Sequence, residues 1–108
     1  MEDFFRIENG VLKECMYKLD TSVKIPDGVT EIGESAFAEC ILLSSVKIPS
    51  GVKVIGKNAF KKCESLVSVE IPNSVTQIGE NAFVDCKSLV SVKIPDGVTQ
   101  IGNYAFNN

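Results

Sequence analysis

Residues Ile71 to Lys93 read IPNSVTQIGENAFVDCKSLVSVK, and the 23 residues before them, Ile48 to Glu70, read IPSGVKVIGKNAFKKCESLVSVE. The same order of residue types occupies Ile25 to Lys47 and starts again at Ile94-Pro95. All four prolines of the chain therefore stand at one phase, after Ile25, Ile48, Ile71 and Ile94. Gly33, Gly56, Gly79 and Gly102 follow at the same period, then Ala36-Phe37, Ala59-Phe60, Ala82-Phe83 and Ala105-Phe106. Cys40, Cys63 and Cys86 come next, then Leu43, Leu66 and Leu89, then Val46, Val69 and Val92. The unit is I-P-x-x-V-x-x-I-G-x-x-A-F-x-x-C-x-x-L-x-x-V-x. Self-similarity at a fixed period without insertions is the mark of a stacked-coil architecture.

Each part of the unit has a physical reading. Ser45-Val46-Lys47-Ile48 alternates polar and apolar, as a strand with one buried face does. Proline ends that strand, because it has no N–H for the ladder and its φ suits the second position of a turn. Asp27-Gly28, Ser50-Gly51, Asn73-Ser74 and Asp96-Gly97 complete the turn. Val29 to Ile32 reads as a second short extended segment on the other side of the coil. Gly33 and its copies are expected at a φ unfavourable to other residues, before a helical turn carrying Ala36, Phe37 and Cys40 on one face. A single coil cannot bury its own apolar side. Stacked coils can, with Phe37, Phe60, Phe83 and Phe106 in one column and rungs about 4.8 Å apart. Three complete coils and a partial fourth over residues 23–108 predict a short right-handed solenoid.

Residues 1–22 fall outside the period. Phe4 to Leu12 reads as two strands around Asn9-Gly10, a strong hairpin signal. Set before the first coil, this hairpin is expected to cap the stack, the whole chain forming one structural domain. Ile41 and Leu42 stand where later coils carry Glu64-Ser65 and Lys87-Ser88. They either pack under the cap with Met16, Tyr17 or Leu19, or form an exposed patch.

The composition narrows the function. The 108 residues are 44% apolar and 23% charged, the balance of a folded domain and not of a disordered one. No apolar run approaches the roughly 18 residues of a membrane span, so no membrane insertion is expected. The start, Met1-Glu2-Asp3-Phe4-Phe5, lacks the basic region and apolar stretch of a signal peptide. A net charge of −3 has the wrong sign for general nucleic-acid binding, so no nucleic-acid partner is expected. The chain has no histidine. That removes Ser-His-Asp and Cys-His nucleophiles and His-containing zinc sites, leaving carboxylates and lysines as the only enzymatic route.

The repeat closely resembles the BspA-like leucine-rich repeats of bacteria and protists, and Phe5 to Leu12 (F-x-I-x-N-G-V-L) resembles the lead-in found before their first repeat. The resemblance implies a leucine-rich repeat solenoid with a parallel strand per coil and short helical or 3-10 turns. It also implies a non-enzymatic binding or adhesion module, typically of surface or secreted proteins, with no cofactor.

Cys40, Cys63 and Cys86 share one phase, so their side chains run parallel in a column, poor geometry for a disulfide. They read as small buried fillers. No C-x-x-C spacing suggests a metal site. Cys15 lies outside the repeat, where an exposed position and a pairing role both stay open. Four reduced thiols suit a reducing compartment such as the cytoplasm.

The charged residues form columns as well: Glu34, Lys57 and Glu80; Glu39, Lys62 and Asp85; Lys47, Glu70 and Lys93. Sign alternates along each, which favours one register and either simply solubilises the surface or patterns it for recognition. The best candidate binding face is the outward side of the regular strand. It would present Ser22, Ser45, Ser68 and Ser91 in one column and Lys24, Lys47, Glu70 and Lys93 in the next, for an unidentified protein partner. No Trp, Tyr or Arg stands there as an anchor, so weak or avidity-dependent binding is expected. Lys53, Lys57, Lys61 and Lys62 make a local basic patch that acidic neighbours neutralise, which reads as a solvated face. The last strand, Ser91 to Ile94, is expected to leave an open edge that either belongs to a longer array or pairs homotypically with another copy. A carboxylate or lysine enzyme would need a concave, apolar-lined pocket, which a four-rung stack is not expected to offer. A structural spacer within a longer surface protein is the remaining reading.

Overall fold

The computed structural model describes residues 5–15 and 21–107. Two strands form the hairpin, β1 (Phe5–Glu8) and β2 (Val11–Cys15). Each complete coil then supplies one strand to each of two sheets. The three-residue strands β3 (Ser22–Lys24), β5 (Ser45–Lys47) and β7 (Ser68–Glu70) form a short parallel sheet. The two-residue strands β4 (Glu31–Ile32), β6 (Val54–Ile55), β8 (Gln77–Ile78) and β9 (Gln100–Ile101) stack in parallel beside β2 in a longer sheet, with β1 at its edge. Equivalent residues pair in every ladder: Val23 with Val46 and Val46 with Val69, Ile32 with Ile55 and Ile55 with Ile78. The chain is thus a parallel β-solenoid, as the period requires.

Asn9 and Gly10 both take positive φ, 53° and 80°, which is the two-residue turn that matches strand twist. β2 then pairs in parallel with β4, Leu12 opposite Ile32, so the hairpin joins the long sheet ahead of the first coil. The residues expected to cover Ile41 and Leu42, Met16, Tyr17 and Leu19, lie outside the described residues. Ile41 and Leu42 themselves are 55% and 44% exposed.

Three local expectations are corrected. Proline takes the first, not the second, position of its turn: the N–H of Val52 donates to Pro49 O at 3.2 Å, and Val75 to Pro72 O at 3.1 Å. Gly33 and its copies do not need a positive φ, since Gly10 and Gly28 are the glycines found there among the described residues. They are glycine because successive coils touch at that corner. A Cβ on Gly33 would stand 2.8 Å from Leu12 O, and one on Gly56 2.7 Å from Ile32 O.

The third correction concerns the segment after the glycine, where no helix forms among the described residues. It is a run of turns in which backbone N–H groups alternate between two acceptors. Ala36, Ala38 and Cys40 donate to carbonyls three residues back, at 3.1–3.2 Å, while Ser35, Phe37 and Glu39 donate to Lys57, Ala59 and Lys61 of the next coil at 2.7–2.9 Å. A helix would consume all of these donors within one coil. Dividing them ties the coils together on a third side. The geometry requires positive φ at Ser35, Glu39, Asn58, Lys62, Asn81 and Asp85, and asparagine tolerates it best.

The side chains stack as the backbone does. Phe37 and Phe60 lie 5.0 Å apart with planes 8° from parallel, and Phe83 and Phe106 5.2 Å apart at 5°. Phe5 of the hairpin closes the first end of this column, edge-on to Phe37 at 6.3 Å. Cys63 and Cys86 are fully buried, each thiol donating 3.1 Å to the carbonyl of Phe37 or Phe60. Cys15 is buried as well, which closes the exposed position left open for it, because β2 lies over the first coil and the Cys15 N–H donates to Ala36 O at 2.9 Å.

The fourth coil departs from the period. Ser91 to Ile94 is not a strand, so the open edge of the short sheet is β7, while the long sheet continues through β9. In this coil Leu89, Val92, Ile94, Val98 and Phe106 are only partly buried. A hollow of about 310 Å³ opens there, lined by Phe83, Leu89, Val90, Val92, Ile94, Ile101 and Phe106. Contrary to expectation, an apolar-lined concavity is therefore present among the described residues, though no carboxylate lines it.

Candidate functional site

The face formed by β3, β5 and β7 carries six of the eight candidate residues in register. Ser22 pairs with Ser45 and Ser45 with Ser68, and Lys24 pairs with Lys47 and Lys47 with Glu70. The central residue of each strand, Val23, Val46 or Val69, points into the core, which turns its flanking Ser and Lys or Glu outward. Ser22, Ser68, Lys24, Lys47 and Glu70 are exposed and Ser45 is half-buried. The serine hydroxyls interact along the column, with Ser45 Oγ donating to Ser22 Oγ at 3.2 Å. A shallow groove of about 440 Å³ follows Ser22, Lys24, Ser45, Lys47, Ser68 and Glu70, with Val23 and Val46 also lining it.

Ser91 and Lys93 are exposed but stand outside this ladder, in the segment that forms no strand. Between that segment and β7 lies a second hollow of about 360 Å³, bordered by Glu70, Pro72, Lys93 and Pro95. The candidate surface is therefore a three-rung ladder with a fourth rung set apart from it.

The charge columns need one amendment. Counted from Lys24, the strand-face column begins with two lysines side by side, Lys24 on Lys47, before Glu70 restores alternation. Like charges directly opposite on neighbouring strands are unfavourable, so this pair is held by the coil stacking and not by its own interaction. The signal was available in the repeated Ser-Val-Lys of residues 22–24 and 45–47. Among the described residues the ion pairs within 4.0 Å are Arg6 with Glu8 at 2.9 Å and Arg6 with Glu14 at 4.0 Å, both in the hairpin. The alternating columns thus act at longer range, through solvent, where each contributes little.

The repeat profile described as BspA type leucine rich repeat region matches residues 5–108 in six copies. Among solved structures, a leucine rich cell surface protein from Faecalibacterium prausnitzii is 40% identical with a TM-score of 0.84, over 90% of this chain and 26% of that one. A leucine-rich repeat protein from Bacteroides ovatus is 34% identical with a TM-score of 0.78, over 99% of this chain and 30% of its own. The leucine rich repeat protein of T. pallidum is 28% identical with a TM-score of 0.74, over 96% of this chain and 64% of that protein. The chain thus spans less than two thirds of the length of these three structures. No curated protein matches it.

Proposed function

We propose that this chain, which belongs to the BspA-type leucine-rich repeat family, is a non-enzymatic protein-interaction module that binds an extracellular or cell-surface partner through the face of β3, β5 and β7. The observation carrying this reading is the in-register, outward ladder of Ser22, Ser45 and Ser68 beside Lys24, Lys47 and Glu70 over a groove of about 440 Å³. Stacked coils fix the backbone that carries these side chains before any partner arrives, so little backbone ordering entropy is lost on binding. The small serines let a partner's backbone approach, and the charges set its register. Ser91 and Lys93 extend the surface once a partner bridges the hollow beside β7. The resemblance to a cell surface protein of F. prausnitzii supports adhesion as the setting.

With no aromatic or arginine anchor on the ladder, a single copy binds weakly, and affinity comes from many coils or many copies. The test is capture from host-cell or matrix extracts on beads carrying this chain at high density. The Lys47→Ala/Glu70→Ala/Lys93→Ala variant serves as control. Loss of a captured protein with the variant supports the face, and equal capture by both rules it out.

A second reading is favoured by one observation: the chain spans only 26% and 30% of two of its structural relatives. Coils of this kind then serve as a spacer, holding a binding segment elsewhere in a longer protein away from a surface. In that case the beads capture nothing that depends on the ladder residues.

A further inference from the structure

On the face of β3, β5 and β7 the charged column runs Lys24, Lys47, Glu70, each residue paired in register with the next. The sign repeats once and then reverses, whereas the columns Glu34, Lys57, Glu80 and Glu39, Lys62, Asp85 reverse at every coil. All three strand-face side chains are exposed, and none has an ion-pair partner within 4.0 Å among the described residues. Lys24 and Lys47 stand one rung apart, about 4.8 Å, which is unfavourable for like charges. An anion seated between two such ammonium groups relieves their repulsion and is attracted to both. The free ladder therefore favours a negative group at this position and, at Glu70, a positive one.

The distance between these two positions selects a chain conformation. The midpoint of Lys24 and Lys47 lies one and a half rungs from Glu70, roughly 7 Å at the usual strand spacing. In an extended peptide, side chains two residues apart stand on one side of the backbone, about 6.8 Å from each other. An acidic and a basic side chain separated by one residue therefore meet the ladder together, whichever way the peptide runs. Charges one or three residues apart point to opposite sides of an extended chain and cannot do so. The serine column leaves room for such a backbone. Ser22, Ser45 and Ser68 stand two residues along each strand from the charges, on the same face, and the groove of about 440 Å³ follows both columns. A helix, about 10 Å across, is too wide to lie between columns about 6.8 Å apart.

We propose that this face takes an extended peptide segment carrying an acidic and a basic side chain two residues apart, laid along the solenoid axis with the acid between Lys24 and Lys47 and the base on Glu70. The inference rests on the reading of this face as the binding surface and gives the partner its chemistry. The intervening side chains of the segment pass over the small serines, whose hydroxyls are placed to bond its backbone. A uniformly anionic partner, such as a sulfated polysaccharide, is disfavoured. It gains the two lysines but sets a like charge against Glu70 on the third rung, and it approaches a chain of net charge −3.

The test is binding of the 108-residue chain to synthetic Ser/Thr peptides displayed at high density, differing only in a central Glu-Thr-Lys, Glu-Thr-Glu, Lys-Thr-Lys or Glu-Thr-Thr-Lys, with heparin as the polyanion probe. The Glu-Thr-Lys peptide should bind at least about fivefold more tightly than each of the others at low salt, and the advantage should shrink as salt rises. Glu70 is exposed, so Glu70→Lys should leave thermal unfolding unchanged and turn the preference to Glu-Thr-Glu. Glu70→Gln, which should abolish the preference for Glu-Thr-Lys, gives the readout if that variant does not fold. Equal binding of all the peptides, tightest binding of Lys-Thr-Lys, or binding of none overturns the proposal. So does an unchanged preference in a folded Glu70 variant, and tightest binding of Glu-Thr-Glu or heparin would assign the face to a polyanion instead. If the peptides fail while bead capture is still lost in Lys47→Ala/Glu70→Ala/Lys93→Ala, the face remains the binding surface and only the acid-and-base spacing falls. If capture is also indifferent to that variant, the reading of the face falls with it.

Discussion

The rings of Phe60 and Phe83 lie 5.1 Å apart with their planes 4° from parallel, and neither has more than 1% of its surface exposed. The strand spacing sets this distance, since each coil can sit no closer to the next than its ladder hydrogen bonds allow. Phe60 touches a ring on both sides, Phe37 at 5.0 Å and Phe83 at 5.1 Å, whereas Phe106 has a ring on one side and is only partly buried. Phe60→Ala should therefore cost about 3–5 kcal/mol of unfolding free energy through lost transfer energy and the cavity left behind. Phe106→Ala should cost less than half as much. Urea unfolding of both variants measures the difference, and equal losses would contradict a column buried along its length and open at one end.

Gly79 shows a different constraint. A Cβ there would stand 2.6 Å from Lys57 N and 2.7 Å from the carbonyl carbon of Gly56, both backbone atoms with no freedom to swing away. The N–H of Gly79 is meanwhile tied to Ile55 O at 2.7 Å. Gly79→Ala must push two coils apart and is expected to cost about 2–4 kcal/mol. At Gly51 the nearest atom to a built Cβ is Val29 O at 3.7 Å, an ordinary contact, and φ is not positive. Gly51→Ala should be neutral or stabilise by up to about 1 kcal/mol, by restricting the unfolded chain. Thermal melts of the two variants should move in opposite directions or differ by several degrees.

How far the sequence could be read follows from which features repeat. Period, register, buried columns and the Asn9-Gly10 hairpin all rest on residue type at fixed spacing, so the pattern Ile32, Phe37, Cys40, Leu43, Val46 sufficed to place them. The role of Gly33 was not legible, because positive φ and close backbone approach demand the same residue. The division of donors between Ala36 and Phe37 was hidden for a related reason. A helix and a run of turns bury the same Ala, Phe and Cys positions, and only the hydrogen-bond acceptors distinguish them. On the strand face, register placed Ser22, Ser45 and Ser68 in one column. It could not show that Ser91 and Lys93 leave the ladder, since their residue types match those of the earlier coils.

Cys86 makes the burial of the repeat thiols measurable. Its side chain is fully buried with Sγ donating to Phe60 O at 3.1 Å. Burial, with a smaller push from the nearby Asp85 carboxylate, drives the thiol up from its ordinary 9.0 to about 11. In the unfolded chain the same thiol releases its proton near 9.0. Between these values the folded state holds more protons than the unfolded one, so stability must fall as pH rises. Below the unfolded value the thiol is neutral in both states and its contribution is constant. The loss accumulates across that window and reaches about 3 kcal/mol, from about 1.4 kcal/mol for each pH unit. The measurement is a difference, so that whatever else alkali does to the fold cancels: urea unfolding at pH 8 and near pH 11 for the native chain and for Cys86→Ala. The native chain should lose more stability over this interval than the variant does. Parallel losses in both would mean that the Cys86 thiolate forms as readily in the folded chain as in the unfolded one, which a fully buried column does not permit.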